Sequence, residues 1–85
     1  VSLSSSEIIQ KMQKEIGNGA EVNLRIDKMF GSAALSIRVD WRDKGFYSCG
    51  IFTEGELNKY KDEIGMIEYL ITWCKHKYDC LLSAS

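Results

Sequence analysis

From Ala20 to Phe52 the apolar residues recur at every second position, whereas on both sides of that stretch they recur at every third or fourth. A strand points alternate side chains to opposite faces and a helix returns to one face about every 3.6 residues, so this change of period orders the elements. Val22, Leu24 and Ile26 alternate with Asn23, Arg25 and Asp27. After a short loop at Phe30-Gly31-Ser32, Leu35, Ile37, Val39 and Trp41 alternate with Ser36, Arg38 and Asp40. These read as two half-buried strands. Arg42-Asp43-Lys44-Gly45 suits a hairpin whose loop, Asp43 to Gly45, is a type I turn closed by a glycine bulge. That loop sets Arg42 opposite Phe46 and Trp41 opposite Tyr47. It predicts Tyr47, Cys49 and Ile51 on the core side with Trp41, Val39 and Ile37, and Phe46, Ser48, Gly50 and Phe52 on the opposite face.

Helical signatures flank the strands. Ser4 and Glu7 form a capping box, with Leu3 and Ile8 spaced as a hydrophobic staple. Ile8, Ile9, Met12 and Ile16 then share one face, and Gly17-Asn18-Gly19 ends the helix because these residues accept left-handed backbone. Thr53 and Glu56 make a second capping box directly after the third strand. Leu57, Tyr60 and Ile64 follow at helical spacing. Gly65, which costs a helix about 1 kcal/mol relative to alanine, predicts a kink or break. Beyond it Ile67, Leu70, Ile71, Cys74, Tyr78 and Leu81 form a continuous stripe, widened by Met66, Tyr69 and Trp73 past the width one sheet face needs. The expected fold class is α+β in the order α-β-β-β-α(α): a three-stranded antiparallel meander with helices packed on one face. Its 85 residues are expected to form a single domain, 1–85.

Charge and motif content exclude several classes of function. Eleven Lys and Arg stand against twelve Asp and Glu, a net of -1, which argues against a whole-protein electrostatic grip on nucleic acid or anionic lipid. No apolar run approaches the roughly 18 residues of a membrane span. No basic stretch precedes an apolar one at the start, so no secretory leader is expected. Three cysteines, an odd count, point away from a disulfide framework and towards a reducing cytoplasm. Cys74, His76 and Cys80 have a spacing reminiscent of a zinc site, but on a helix positions 74 and 80 project about 240° apart and cannot converge on one ion. No metal or cofactor is expected.

Nucleophilic catalysis needs a base beside the nucleophile. A Cys–His pair would have to bring the only histidine, His76, against Cys49, which the register places in the core. Glu54, Glu56, Asp62, Glu63 and Glu68 read as the solvated face and first turn of a helix. No catalytic site is expected, and the chain reads as a non-enzyme. Gly17-Asn18-Gly19 follows a helix instead of opening one, so it is no phosphate cradle. Lys44-Gly45-Phe46 begins like an RNA-recognition motif, but Ser48 stands where a stacking aromatic belongs. The element order matches double-stranded-RNA-binding domains, yet Thr53-Glu54-Gly55-Glu56 puts acid where those domains need lysine.

What remains is surface. The open face of the sheet is expected to display Arg25, Arg38, Asp40, Arg42, Phe46 and Phe52, and arginine and aromatic residues are enriched at the centres of protein–protein interfaces. The same arginines beside Phe46 and Phe52 supply the alternative, a small nucleic-acid-associated or regulatory domain. The flank of the last helix, Met66, Tyr69 and Trp73, offers a seam for a homodimer.

The segment Ala34-Leu35-Ser36-Ile37-Arg38-Val39-Asp40, the polar turn that follows it, and the acidic capped helix after the third strand resemble small accessory proteins of bacteriophages and prophages, in particular anti-CRISPR proteins with this element order. The resemblance covers most of the chain in architecture. It implies a non-enzymatic inhibitor whose partner is a host defence protein such as a CRISPR effector. Some such inhibitors mimic DNA with carboxylates. In this chain Glu54, Glu56, Asp62, Glu63 and Glu68 make a local acidic patch for that purpose.

Overall fold

The computed structural model describes residues 5–29, 32–60 and 62–84. Helix α1 spans Ser5–Ile16, strands β1, β2 and β3 span Ala20–Met29, Ser32–Trp41 and Phe46–Thr53, a single-turn helix α2 spans Glu54–Leu57, and α3 spans Glu63–Ala84. The three strands form one antiparallel sheet in chain order, β1-β2-β3, so the fold is α+β with the expected succession of elements. The proposed cap at Ser4, its staple partner Leu3 and the loop residues Phe30 and Gly31 lie outside the described residues.

Helix α1 closes through Gly17, Asn18 and Gly19, all with positive φ (68°, 56° and 72°). Its face of Met12 and Ile16 is buried, with Ile8 and Ile9 packed against the same core. Gln13 links the helix to the sheet, because its side-chain oxygen accepts the backbone N–H of Val22 in β1 at 2.9 Å. The β1–β2 ladder pairs Val22 with Val39 and Leu24 with Ile37, which sets Val22, Leu24, Ile37, Val39 and Trp41 on the core face as the alternation predicts. Ile26 shares that parity and pairs with Leu35, yet it is 77% exposed and lines an open hollow between the sheet and the helices.

The β2–β3 register differs from the expected one by one residue. Trp41 pairs with Phe46, not with Tyr47, and the loop comprises four residues, Arg42 to Gly45. The Trp41 carbonyl accepts N–H bonds from both Lys44 (3.0 Å) and Gly45 (2.9 Å), and Gly45 turns the chain back with a φ of 75° that a side chain would strain. Every side chain of β3 therefore faces the other way. Phe46 and Phe52 belong to the core face, Phe52 being buried, while Tyr47, Cys49 and Ile51 face solvent. Two aromatic clusters drive this choice. Trp41, Phe46 and Tyr78 meet with ring centroids 5.3 to 5.8 Å apart, and Phe52 meets Tyr69 and Trp73 edge-on at 5.7 and 5.3 Å. Edge contacts of this kind add to the area that the rings bury. Gly50, brought to the core face by the same register, leaves the space that the Trp73 ring fills.

Thr53 caps α2 as expected, its hydroxyl accepting the Glu56 N–H at 3.3 Å. The helical break falls after Leu57 and before Glu63, ahead of Gly65. Asp62 is the reason: its carboxylate accepts the Gly65 N–H at 2.7 Å, so Gly65 lies in the first turn of a new helix capped by aspartate. Ile67, Leu70, Ile71 and Cys74 of α3 are buried against the sheet.

Candidate interaction surface

The face of the sheet turned away from the helices is organised around Arg38. Its guanidinium holds Asp40 through two hydrogen bonds, Nε to one carboxylate oxygen at 3.0 Å and Nη2 to the other at 3.1 Å. The same group stacks over the Tyr47 ring on β3, 4.5 Å from its centroid. Arg38 and Asp40 are two residues apart on one strand and so share a face, while Asp40 and Tyr47 are direct cross-strand partners, so the register assembles all three. A hydrogen bond from Arg38, then its charge, holds the Asp40 carboxyl below the usual carboxylate range, and Asp40 raises the guanidinium further above its own.

Around this cluster the face carries Glu21, Asn23, Arg25, Ser36, Cys49 and Ile51. Arg42 leaves the turn and donates to Glu21 of β1 at 2.9 Å, bridging the two outer parts of the sheet end. Arg38 and Arg42 are thus each matched by a carboxylate, so the face is patterned in both signs. Tyr47 is 56% and Ile51 54% exposed, which makes them the large apolar side chains of this face.

Of the residues expected on this surface, Arg25, Arg38 and Asp40 share it and Arg42 reaches its edge. Phe46 and Phe52 do not, since both contribute to the core face. Tyr47 and Ile51 hold the apolar positions instead, and Cys49, expected in the core, is exposed between them. No periodicity separates the two faces of β3, because Phe46 and Phe52 stand on one and Tyr47, Cys49 and Ile51 on the other. The aromatic residues of α3 that pack on one of those faces decide.

The acidic patch is spread along a bend. Glu54 and Glu56 are exposed in the first turn of α2, Asp62 is engaged as the cap of α3, and Glu68 lies exposed a turn farther on. The Glu63 side chain lies outside the described residues. Met66, Tyr69 and Trp73, expected to flank a dimer, are half-buried and pack against the core of their own chain, with Tyr69 also stacked on Tyr60 at 4.9 Å. An open apolar hollow of about 340 Å³ lies between Leu24, Ile26 and Leu35 of the sheet and Leu57, Met66 and Leu70 of the helices.

Cys74 points into the core, where burial pushes its thiol up to about 12, while His76 and Cys80 are exposed and 3.5 Å apart. Among the described residues no three His, Cys, Asp or Glu side chains are grouped to hold a metal ion, and no helix is long and apolar enough to cross a membrane. No protein-family model matches the chain, and no curated protein or solved structure matches it either.

Proposed function

We propose that the chain is a protein–protein interaction module whose contact surface is the open face of the sheet. In keeping with its resemblance to accessory proteins of the anti-CRISPR type, we further propose that it acts without catalysis, by covering a surface of a host defence protein. The observation that carries this reading is the Arg38–Asp40–Tyr47 cluster. An arginine held in place by a bidentate carboxylate and an aromatic ring, beside an exposed Ile51, has lost little further freedom when a partner docks on it.

Charge matching favours a protein partner over a nucleic acid. With Arg38 and Arg42 each engaged by a carboxylate, few counterions would be released on binding a phosphate backbone. The test is affinity capture with the tagged protein from bacterial lysate containing a guide-loaded CRISPR effector, with and without nuclease, run beside Arg38→Glu. A stoichiometric protein captured in both conditions and lost with Arg38→Glu supports the proposal. Capture of nucleic-acid-binding proteins that nuclease abolishes, or capture unaffected by the substitution, refutes it.

A further inference from the structure

The two edges of the sheet differ in how they are protected. An edge strand offers unpaired backbone groups to any other strand, and folded proteins blunt that hazard with charge, proline, bulges or a covering element. β1 is blunted: it carries Glu21 and Arg25, and Gln13 of α1 occupies the backbone N–H of Val22. β3 is not. Phe46–Thr53 contains no charged residue and no proline, its register with β2 runs without a bulge, and among the described residues no strand pairs with its outer edge.

The sequence of β3 is also self-complementary. Tyr47 and Ile51, both exposed, stand two residues to either side of Cys49 on the same face. We propose that β3 pairs antiparallel with β3 of a second copy of the chain about a two-fold axis at Cys49, forming a continuous six-stranded sheet. In this register Tyr47 of each copy stands opposite Ile51 of the other, an aromatic against a β-branched side chain, one of the favoured cross-strand combinations. On the helix side Phe46 stands opposite Phe52 and Ser48 opposite Gly50. A register centred one residue later would set Phe46 against Glu54 and Tyr47 against Thr53, so the apolar pattern selects the Cys49 axis. The nearest strand charges, the two Arg38 side chains, belong to strands three spacings apart, about 14 Å at the usual strand separation, beyond the range over which salt leaves them coupled. This pairing stands whether or not the open face binds a host protein.

The test is sedimentation equilibrium over a wide range of concentration with two double variants, and oxidative cross-linking with two cysteine variants, all at exposed positions. The wild-type mass is expected to rise from 9.7 kDa towards twice that value. Tyr47→Lys with Ile51→Lys places lysine opposite lysine twice and is expected to weaken association roughly tenfold or more. Tyr47→Lys with Ile51→Glu places lysine opposite glutamate twice and is expected to restore it, which a general loss of structure could not do. Opposed residues of an antiparallel pair are about 4.5 to 5.5 Å apart at Cα, within disulfide reach, so mild oxidation is expected to cross-link the protein. Cys49→Ser should abolish that cross-link and Cys80→Ser leave it. A mass that stays at 9.7 kDa at every concentration, a dimer unaffected by the double lysine variant, or a cross-link carried by Cys80 overturns the proposal.

Discussion

The ring of Trp73 occupies the space a side chain at Gly50 would need: a Cβ built there would lie 2.6 Å from one ring carbon and 2.8 Å from another. Neither residue can be understood alone. The strand gives up a side chain, and the helix fills the gap with an indole that also meets Phe52 edge-on. Gly50→Ala is therefore expected to lower stability by about 1–3 kcal/mol, the usual cost of overpacking a core. Combined with Trp73→Leu, Gly50→Ala should cost much less than it does alone. A double-mutant cycle in urea measures both, and additive effects would contradict the contact.

Phe52 and Ile51 are neighbours with opposite fates, one 4% and the other 54% exposed. Phe52→Ala should cost about 3–5 kcal/mol, as large truncations in a core do. Ile51→Ala should stay within about 0.5 kcal/mol of the wild type. Thermal or urea denaturation of the two variants reads the register directly, since a hairpin slipped by one residue would reverse the ranking.

Much of the fold was legible in the chain, and the errors have identifiable causes. Leu35 to Trp41 alternate with Ser36, Arg38 and Asp40, so only one facing of β2 buries apolar area, and Arg25, Arg38 and Asp40 follow onto the open face through the ladder. In β3 the choice lies between Tyr47, Cys49 and Ile51 on one side and Phe46, Gly50 and Phe52 on the other, and burial does not discriminate until Trp73 arrives from a distant helix. For that reason alternation alone puts Phe46 and Phe52 on the open face, where the fold puts Tyr47 and Ile51. The helical break was also misplaced. Asp62 followed three residues later by Gly65 is a capping signal, and it outweighs the low helical propensity of glycine.

Removing that cap tests its weight. Asp62→Ala leaves the Gly65 N–H without its side-chain acceptor and is expected to cost about 1 kcal/mol, read as a lower melting temperature. Asp62→Asn, which keeps an acceptor, should recover most of the loss.

The three thiols should differ in reactivity. Cys49 and Cys80 are exposed and Cys74 is buried, so a thiol reagent at neutral pH is expected to modify two cysteines in the native protein and the third only on unfolding. The same burial gives an alkaline signature. With its thiol raised from 9.0 to about 12 in the fold, Cys74 keeps its proton where the unfolded chain has lost it. Its contribution to stability is therefore complete below pH 9.0 and disappears as pH rises towards about 12. Cys74→Ala should flatten the stability profile over that interval.

Asp40 provides the acidic counterpart. Because Arg38 depresses its titration, the Asp40 carboxylate should protonate below 3.8 in a carbon-detected titration, and Arg38→Ala should return the midpoint towards that value. A midpoint indifferent to the substitution would mean that the pair does not persist in solution.

The order of strands in space repeats their order in the chain, with no crossover. Each hairpin can therefore close from its own turn, and only the facing of β3 depends on a distant segment, the helix that brings Trp73. Loop closure, the slow entropic step in assembling most sheets, is here divided into two short closures. The sheet is accordingly expected to form on the order of milliseconds, faster than in sandwich and barrel folds whose strands come from remote parts of the sequence.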